Sequence, residues 1–400
     1  MPASCSLPSS RRASDEQLTR NRSRILVFAD DWGRHPSSCQ HLIGHLLDRH
    51  DVWWVNTIGM RTPQFDRATV SRGVEKIRQW LRGPIPADAG PANPRVLNPR
   101  MWPWFSTRFG RSLNRRLLLR ALTPVVESLP EPPVVVTTLP IVSELIGVLP
   151  ARRWVYYCVD DFGEWPGLDH TALRRMERRL IDEADELIAV SKTLQTKLDR
   201  SGRTAALLTH GVEREFWAAP PPTEVPPLTG LERPLIVFWG VVDRRMDMAF
   251  VQKLAADLEW GTIVIVGPEL DADPALRSIP RVVRLPPLAF AQLPCVAREA
   301  SVLIMPYADL PVTRAIQPLK LKEYLCTGKP TVVRDLPANR DWADCMDLAD
   351  TPEAFSRAVR MRLQTRLPVH QKAARARLSH ESWREKAQVF ERLVIGVETD

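Results

Sequence analysis

The chain has 400 residues, with 55 Lys and Arg against 47 Asp and Glu, and 44% of the residues are hydrophobic. This length and composition predict a globular protein with more than one core, and they argue against disordered, fibrous and disulfide-stapled classes. The six cysteines are dispersed without a CxxC pair, so we expect reduced thiols and a cytoplasmic setting. The sequence has no uninterrupted run of about 18 apolar residues, so we expect no membrane span.

Residues 1–23 are predicted to form a disordered tail, because Ser and Arg dominate and the apolar region of a secretory signal is missing. From residue 24 onward, short apolar runs alternate with amphipathic helical patterns. These runs predict strands over 24–30, 51–57, 134–138, 153–159, 186–191 and 205–211. Helices are predicted over 37–50, 112–129, 170–183 and 192–200, and an irregular region over 60–105.

A Pro-rich segment, 218–234, contains six prolines and predicts a linker. The alternation then restarts, with strands predicted over 235–240, 262–267, 281–286, 301–306 and 330–333. The helices predicted for this half span 247–258, 290–299, 318–326, 352–363 and 379–396. We therefore expect an N-terminal domain over 24–217, a C-terminal domain over 235–378, and a last segment, 379–400, that crosses back to the N-terminal domain.

The strands read as continuous apolar runs separated by helices, which is typical of parallel sheets covered on both faces. The predicted fold class is therefore α/β, with two doubly wound Rossmann-like domains facing a central cleft. Ligands of such sheets lie beyond the carboxyl ends of the strands, so the cleft is the expected binding site.

The stretch "PLKLKEYLCTGKP", residues 318–330, predicts a helix with Pro318 at its start. Lys320 falls in the first turn, where the helix dipole disfavours a cation and a bound anion would remove the conflict. Glu323 lies on the same face one turn later. This pattern suits a nucleoside diphosphate, with phosphates near Lys320 and sugar hydroxyls near Glu323. An ordinary surface Lys–Glu pair fits the spacing equally well.

The same stretch resembles the donor-binding helix of retaining glycosyltransferases with the GT-B fold, the large group often called family 4. Three further segments match in order: "ADELIAVSKTLQTKL" (184–198), "THGVEREFW" (209–217) and "FWGVVDRRMD" (238–247). The resemblance is strongest over 150–350. With "YYCVDDF" (156–162), the chain is most similar to the teichuronic-acid-type branch of this group.

The resemblance implies that Glu323 binds the donor ribose and that Arg245 neutralises the donor diphosphate. The lysine that usually follows this arginine is Met246 here, so Lys320 is expected to supply the second positive charge. The first glutamate of the paired motif falls at Ala315, and "DLPVTRAIQ" (309–317) replaces the usual Gly-rich stretch. Further donor contacts are expected from Gly240, Val312, Thr313, Ala315 and His210.

The reaction that the resemblance implies is sugar transfer to a hydroxyl with retention of configuration, without a metal or cofactor. Negative charge develops on the leaving diphosphate, and Arg245, Lys320 and the helix N-terminus would stabilise it. Asp160 and Asp161 are grouped with these catalytic candidates because they end a strand at the cleft edge. A turn or helix cap explains such a pair as well.

The loop after the first strand faces the acceptor in this fold, so His35, Ser37, Ser38 and Gln40 are candidate acceptor-binding residues. Either serine would serve equally as a helix N-cap. His41 and His45 have the spacing of a zinc-binding helix, but no Glu follows His41 and no third ligand is evident.

Two arginine-rich helices suggest contact with an anionic membrane that carries a lipid-linked acceptor. A solvated helix face is the alternative for both, and it is favoured more for the second, which is interleaved with acidic residues. The first set is Arg108, Arg111, Arg115, Arg116 and Arg120, and the second is Arg174, Arg175, Arg178 and Arg179. The expected partners are a nucleoside diphosphate sugar and a glycan or lipid-linked acceptor, not nucleic acid. The alternatives left open are a sugar-nucleotide epimerase, a nucleic-acid-binding protein suggested by the basic charge, and an inactive homologue suggested by Ala315.

Overall fold

The computed structural model describes residues 22–34, 36–60, 93–220 and 225–396. Its first half contains a seven-stranded parallel sheet in the order β3-β2-β1-β4-β5-β6-β7. The strands are β1 Arg24–Ala29, β2 Asp51–Asn56, β3 Arg95–Leu97, β4 Val134–Thr137, β5 Arg153–Cys158, β6 Glu186–Ala189 and β7 Ala206–Leu207. The α-helices of this half are α1 Ser38–Gly44, α2 Arg108–Glu127, α3 His170–Glu183, α4 Lys192–Asp199 and α5 Arg214–Ala218.

The second half contains a six-stranded parallel sheet in the order β10-β9-β8-β11-β12-β13. Its strands are β8 Leu235–Trp239, β9 Thr262–Val266, β10 Val282–Leu285, β11 Val302–Met305, β12 Thr331–Arg334 and β13 Asp347–Ala349. The helices are α6 Met248–Asp257, α7 Leu293–Glu299, α8 Pro311–Ala315, α9 Leu319–Cys326, α10 Pro337–Arg340, α11 Pro352–Thr365, α12 Val369–Ala374 and α13 Trp383–Ile395.

The apolar runs form the central strands of both sheets, and helices cover them, so each sheet lies inside its own core. β1 and β8 are almost wholly buried, which is why they read as continuous hydrophobic runs. The predicted fold class, two doubly wound parallel α/β domains, is confirmed.

Two short strands, β3 and β13, were not predicted from the sequence, and the predicted strand over 205–211 shortens to Ala206–Leu207. β3 falls in the region predicted to be irregular. It lies at a sheet edge and is partly exposed, so no apolar run marks it. The rest of that region, 61–92, lies outside the described residues, as does the predicted tail up to residue 21.

The chain passes between the two cores twice, and the two passages run side by side. Val212 donates a backbone hydrogen bond to Glu381 (2.8 Å) and pairs in parallel with Ser382. Beyond this point α13 packs its apolar face, including Phe390, into the first core. In the Pro-rich segment, Val225 and Leu228 pack into the second core. We call the region around residues 209–212 and 381–383 the junction.

Candidate functional site

The switch point of the second sheet lies between β8 and β11, where the strand order reverses. A crevice opens at such a point beyond the carboxyl ends of the strands. Gly240 directly follows β8, and Tyr307 follows β11 after one residue. The start of α9 lies against both, so this helix brings its own side chains to the crevice.

Lys320 occupies this crevice. Its Nζ donates a hydrogen bond to the Tyr307 hydroxyl (2.6 Å) and lies 4.7 Å from the centroid of the Phe238 ring. No carboxylate of the described residues forms an ion pair with it. The ammonium group is therefore held in place by an aromatic hydroxyl and ring faces while its charge is not neutralised, which favours an anion beside it.

Two glycines allow the chain to approach this closely. Gly240 has φ +138°, a conformation that L side chains rarely adopt, and a Cβ there would overlap Lys320 Nζ. Gly267, at the end of β9, has φ +144°, and a Cβ there would overlap the Gly240 carbonyl. A side chain at Gly240 would displace Lys320, and one at Gly267 would displace the Gly240 backbone.

Arg245 follows the same strand, in the β8–α6 loop. Its guanidinium forms a fork with the buried Asp243, with Nε–Oδ1 and Nη2–Oδ2 distances of 2.9 Å. It also lies over the ring of Trp165, 4.5 Å from the centroid. Because Trp165 belongs to the first domain, Arg245 spans the cleft. Met246, which occupies the position of the usual lysine, is buried, and its backbone forms an antiparallel β-bridge with that of Tyr307.

Glu323 lies one turn after Lys320 on α9 and is partly buried. One of its carboxylate oxygens accepts a hydrogen bond from the Trp239 indole (3.2 Å). Burial raises the pKa of Glu323 to about 7, although the Trp239 hydrogen bond and the Lys320 charge both act against the shift. The Glu323 carboxylate is thus a hydrogen-bond acceptor in an apolar environment, where the Trp239 indole alone does not offset the cost of burying its charge.

The two aspartates after β5 have different surroundings. Burial raises the pKa of Asp160 to about 7, Asp30 and Asp161 add to the shift, and Arg245 across the cleft opposes it. Asp161 instead accepts a hydrogen bond from Lys197 Nζ (2.9 Å), which also binds the buried Glu177 (2.6 Å). Asp160 therefore faces the cleft, while Asp161 is held within the first domain.

The segment that replaces the Gly-rich stretch forms the short helix α8, with Val312, Thr313 and Ala315 all buried. The Thr313 hydroxyl accepts a hydrogen bond from the Leu310 amide (2.9 Å) and so caps the helix start. The Ala315 carbonyl accepts a hydrogen bond from the Ser191 hydroxyl of the first domain. These side chains are engaged in the protein, which leaves backbone groups for a ligand.

His210 lies at the junction rather than at the crevice. It is 5% exposed, its backbone N–H donates to Gln317, and Nδ1 has no hydrogen-bond partner among the described residues. Burial lowers the pKa of His210 to about 3, and the nearby Lys322 charge adds to this effect. The imidazole is therefore neutral at physiological pH.

Of the acceptor candidates, Ser37 is the N-cap of α1 and accepts a hydrogen bond from the Gln40 amide (3.3 Å). Gln40 holds the loop before α1, because its Oε1 accepts a hydrogen bond from the Gly33 amide (3.1 Å). Ser38 is buried, and His35 lies outside the described residues. Their spacing therefore reflects loop structure at least as much as ligand binding.

Sequence reasoning missed Tyr307, Trp165 and Trp239, which hold Lys320, Arg245 and Glu323 in place. It also missed a cavity of about 250 Å³ at the ends of β9 and β10. Its lining is Gly267, Pro268, Glu269, Arg284, Leu285, Pro286 and Pro287. The position of Tyr307 after a buried strand was the one signal that pointed to the cleft.

Charged groups of both domains thus face the cleft, and the second-domain cations lie beside the carboxylates of Glu323 and Asp243. The first domain contributes Asp160 and, after β1, Asp30, whereas the second contributes Lys320 and Arg245. Within the described ranges, no group of three His, Cys, Asp or Glu residues is arranged to hold a metal ion. No helix of the described residues has the length and apolar character to cross a membrane.

Two parallel-sheet domains that face a cleft with ligand-binding switch points define the GT-B fold, and this chain has it. Sucrose-phosphate synthase from Thermosynechococcus elongatus superposes with a TM-score of 0.64 at 14% identity, covering 94% of this chain and 97% of that one. Anabaena HepE, solved with UDP and glucose, superposes with a TM-score of 0.66 at 14% identity, covering 94% and 100%. The predicted resemblance to GT-B glycosyltransferases is confirmed for the fold.

In sequence, the chain is similar to TuaH of Bacillus subtilis (strain 168), a protein named for a glycosyltransferase role in teichuronic acid biosynthesis. The two are 28% identical over 177 residues, 42% of this chain. The match spans 44% of the length of that relative. No family model matches the chain.

Proposed function

We propose that this protein transfers a sugar from a nucleoside diphosphate sugar to a hydroxyl acceptor. The observation that carries the proposal is Lys320, a fixed cation without a carboxylate partner among the described residues, at the switch point of the second sheet, with Arg245 on its Asp243 fork in the adjacent loop. The GT-B fold and the similarity to TuaH support it. HepE structures with UDP and with UDP-glucose show that a neighbour of the same fold binds such donors.

The donor fits the second domain in three parts. Its diphosphate lies beside Lys320 and Arg245, and the absence of a Cβ at Gly240 is what lets Lys320 reach this position. Its ribose hydroxyls donate to Glu323, which gains the partners that its buried charge lacks. Its base enters the 250 Å³ cavity at the ends of β9 and β10.

The chemistry follows from the fixed charges. The bond between the anomeric carbon and the phosphate oxygen breaks, and charge grows on the diphosphate, where Lys320 and Arg245 already point. Tyr307 and Asp243 fix these two cations before the donor binds, so little reorganisation is needed. The acceptor oxygen bonds to the same carbon on the face that the phosphate leaves, so the configuration is retained. The acceptor's proton passes to the leaving phosphate, and neither a protein nucleophile nor a divalent ion is required.

Asp160 is the acidic counterpart in this scheme. It faces Arg245 from the first domain, and its raised pKa keeps a fraction of the carboxyl groups protonated near neutrality. In the complex it accepts or donates a hydrogen bond to hydroxyls of the transferred sugar or acceptor. Asp161 orients this loop through Lys197 and does not touch the substrate.

The acceptor is a lipid-linked or surface glycan held at an anionic membrane. Phe109, Trp102 and Trp104 are 73%, 40% and 36% exposed beside the exposed arginines of α2. Aromatic rings with cations are typical of interfacial surfaces. Arg179 of α3 and the buried Arg111 of α2 both pair with Glu144 (2.8 and 3.4 Å), so neither is an unpaired surface cation. Binding to phosphatidylglycerol vesicles should weaken in a Trp102→Ser/Phe109→Ser variant and stay unchanged in Trp260→Ser, which removes an exposed ring from the second domain.

Donor binding is the decisive experiment. UDP-, GDP-, TDP- and ADP-glucose are titrated into the protein by calorimetry, and each is then incubated to detect sugar release to water. At least one should bind, and Glu323→Ala should weaken that binding about tenfold or more, while Arg244→Ala, next to Arg245 but exposed, should not. If none of the four binds or stabilises the protein, the proposed function fails.

A further inference from the structure

A second cavity lies away from the cleft. It measures about 900 Å³ and lies at the amino ends of β11 and β12, where Ala300, Ser301 and Pro330 contribute to its wall. The switch point lies at the carboxyl ends of the same sheet. This cavity is therefore a separate site, on the opposite edge of the second domain.

Its lining is strongly basic. Six cationic residues line it: Arg214, Lys329, Arg362, Arg366, Lys372 and Arg375. None of its described lining residues is acidic. Arg362 is neutralised from behind by Asp347, with Nε–Oδ2 and Nη2–Oδ1 distances of 2.5 and 2.6 Å. For Arg214, Arg366 and Lys372, no carboxylate in the described part of the chain forms an ion pair.

One of these cations, Arg375, is buried in the wall of the cavity and held there by backbone carbonyls. It is 6% exposed, and two of its nitrogens donate to the carbonyls of Cys345 (3.0 Å) and Lys329 (2.9 Å). Its third nitrogen, Nη2, is buried and has no partner among the described residues. A buried guanidinium N–H without an acceptor is costly, so the protein holds the Arg375 charge in the cavity wall without satisfying it fully.

Arg366 adds a second, independent observation. It lies just beyond the end of α11 with φ +61° and ψ −160°, a backbone region that is almost exclusive to glycine. Glycine would relieve this strain, yet the position holds an arginine whose side chain lines the cavity. Strained residues of this kind persist where the side chain has a use.

We propose that this cavity binds a small molecule with two or more phosphate groups. Arginine forks match phosphate oxygens in pairs, and the several unpaired cations exceed what one phosphate group neutralises. The volume exceeds that of a single phosphate ion and accommodates a polyphosphate or a nucleoside polyphosphate. Binding here depends on neither the donor nor the proposed transfer reaction.

The test uses tripolyphosphate as the probe, titrated by calorimetry into the full chain and into its Lys320→Ala variant, whose donor crevice has lost its unpaired cation, and binding at the cavity should be the same in both. Arg366→Gly removes one cavity cation and relaxes the backbone, so it should keep or raise the Tm while weakening binding about tenfold. Arg366→Ser/Lys372→Ser should weaken it further. Arg357→Ser/Arg360→Ser removes the same charge from exposed positions of α11 outside the cavity lining, and should bind as the unmodified protein does.

Equal losses in the cavity and control variants would show a response to net charge alone and would overturn the proposal. So would the absence of tripolyphosphate binding to the unmodified protein. Adenosine and uridine triphosphates, tested in the same way, separate the sources of the phosphates. Binding of either at least as tight as that of tripolyphosphate identifies a nucleotide as the occupant, and weaker binding of both identifies an inorganic polyphosphate.

Discussion

Lys320 and Lys322 are two residues apart on α9 and experience opposite surroundings. Lys320 projects into the crevice, where a tyrosine hydroxyl holds it and no described carboxylate pairs with it. Lys322 projects to the other side, is 2% exposed, and binds Glu381 (2.5 Å) and the carbonyl of His210 at the junction. The same residue type thus carries an unneutralised charge on one side of the helix and connects the domains on the other.

The difference teaches that charge on this helix is not a guide to function until its direction is known. A cation fixed near its site but left unpaired can stabilise an arriving anion, whereas a buried cation with a carboxylate partner is already satisfied. Substitutions on the crevice side should therefore change catalysis or donor binding, and those on the junction side should change stability.

Lys320→Ala is expected to show the largest difference between loss of activity and loss of stability. Loss of one fixed charge at the leaving diphosphate should lower kcat by about 10²–10³, with a change in unfolding free energy below about 1 kcal/mol. The measurement is transfer or donor hydrolysis with the donor that binds, alongside urea denaturation. Arg244→Ala, exposed and paired with Asp271, is the control and should retain activity. A stability loss as large as the activity loss would place Lys320 among the structural lysines.

On the junction side, Glu381→Gln should lower the unfolding free energy by about 3 kcal/mol, because it leaves the Lys322 charge buried without its carboxylate. Urea denaturation measures the loss. The double variant Lys322→Met/Glu381→Gln removes that uncompensated charge and should recover a good part of the stability. If the double variant is no more stable than Glu381→Gln, the buried charge is not the cause.

His210 should make the junction sensitive to acid. Its folded pKa of about 3 lies below the value of about 6.5 for an unfolded histidine, so it is neutral in both states above pH 6.5. As the pH falls below 6.5, the unfolded chain takes up the proton first, and stability falls by about 1.4 kcal/mol per pH unit. Unfolding free energies of the unmodified protein and His210→Gln at pH 7, 6 and 5 should converge as the pH drops. Parallel curves would contradict this assignment.

The crevice should also respond to pH, at a higher pH than the junction does, because Glu323 titrates near pH 7. With a pKa of about 7, Glu323 is mostly protonated at pH 6 and mostly ionised at pH 8, and the ionised form accepts ribose hydroxyls more strongly. Affinity for the sugar nucleotide should therefore rise by up to about tenfold from pH 6 to pH 8. Glu323→Gln should remove this dependence. A profile that is unchanged in Glu323→Gln would assign the titration to Asp160 instead.

Much of this site was predictable from local pattern. Lys320 and Glu323 share a helix face by spacing alone, and Arg245 follows a buried strand whose carboxyl end must face the cleft in a parallel sheet. The roles of the two aspartates after β5 could not be told apart from the sequence. Asp160 and Asp161 are adjacent in sequence, and only contacts with Arg245 and Lys197, distant along the chain, separate the cleft residue from the structural one.

The sequence by itself determined the two α/β halves, the helix α9 and its charged face, because these depend on periodicities that short segments carry. Tertiary structure alone decided that Tyr307 and Trp165 hold the cations, that Lys322 is buried, and that six basic residues line one cavity. Those residues are scattered from 165 to 375, and no local pattern brings them together. Their meeting depends on how the two sheets and their helices pack.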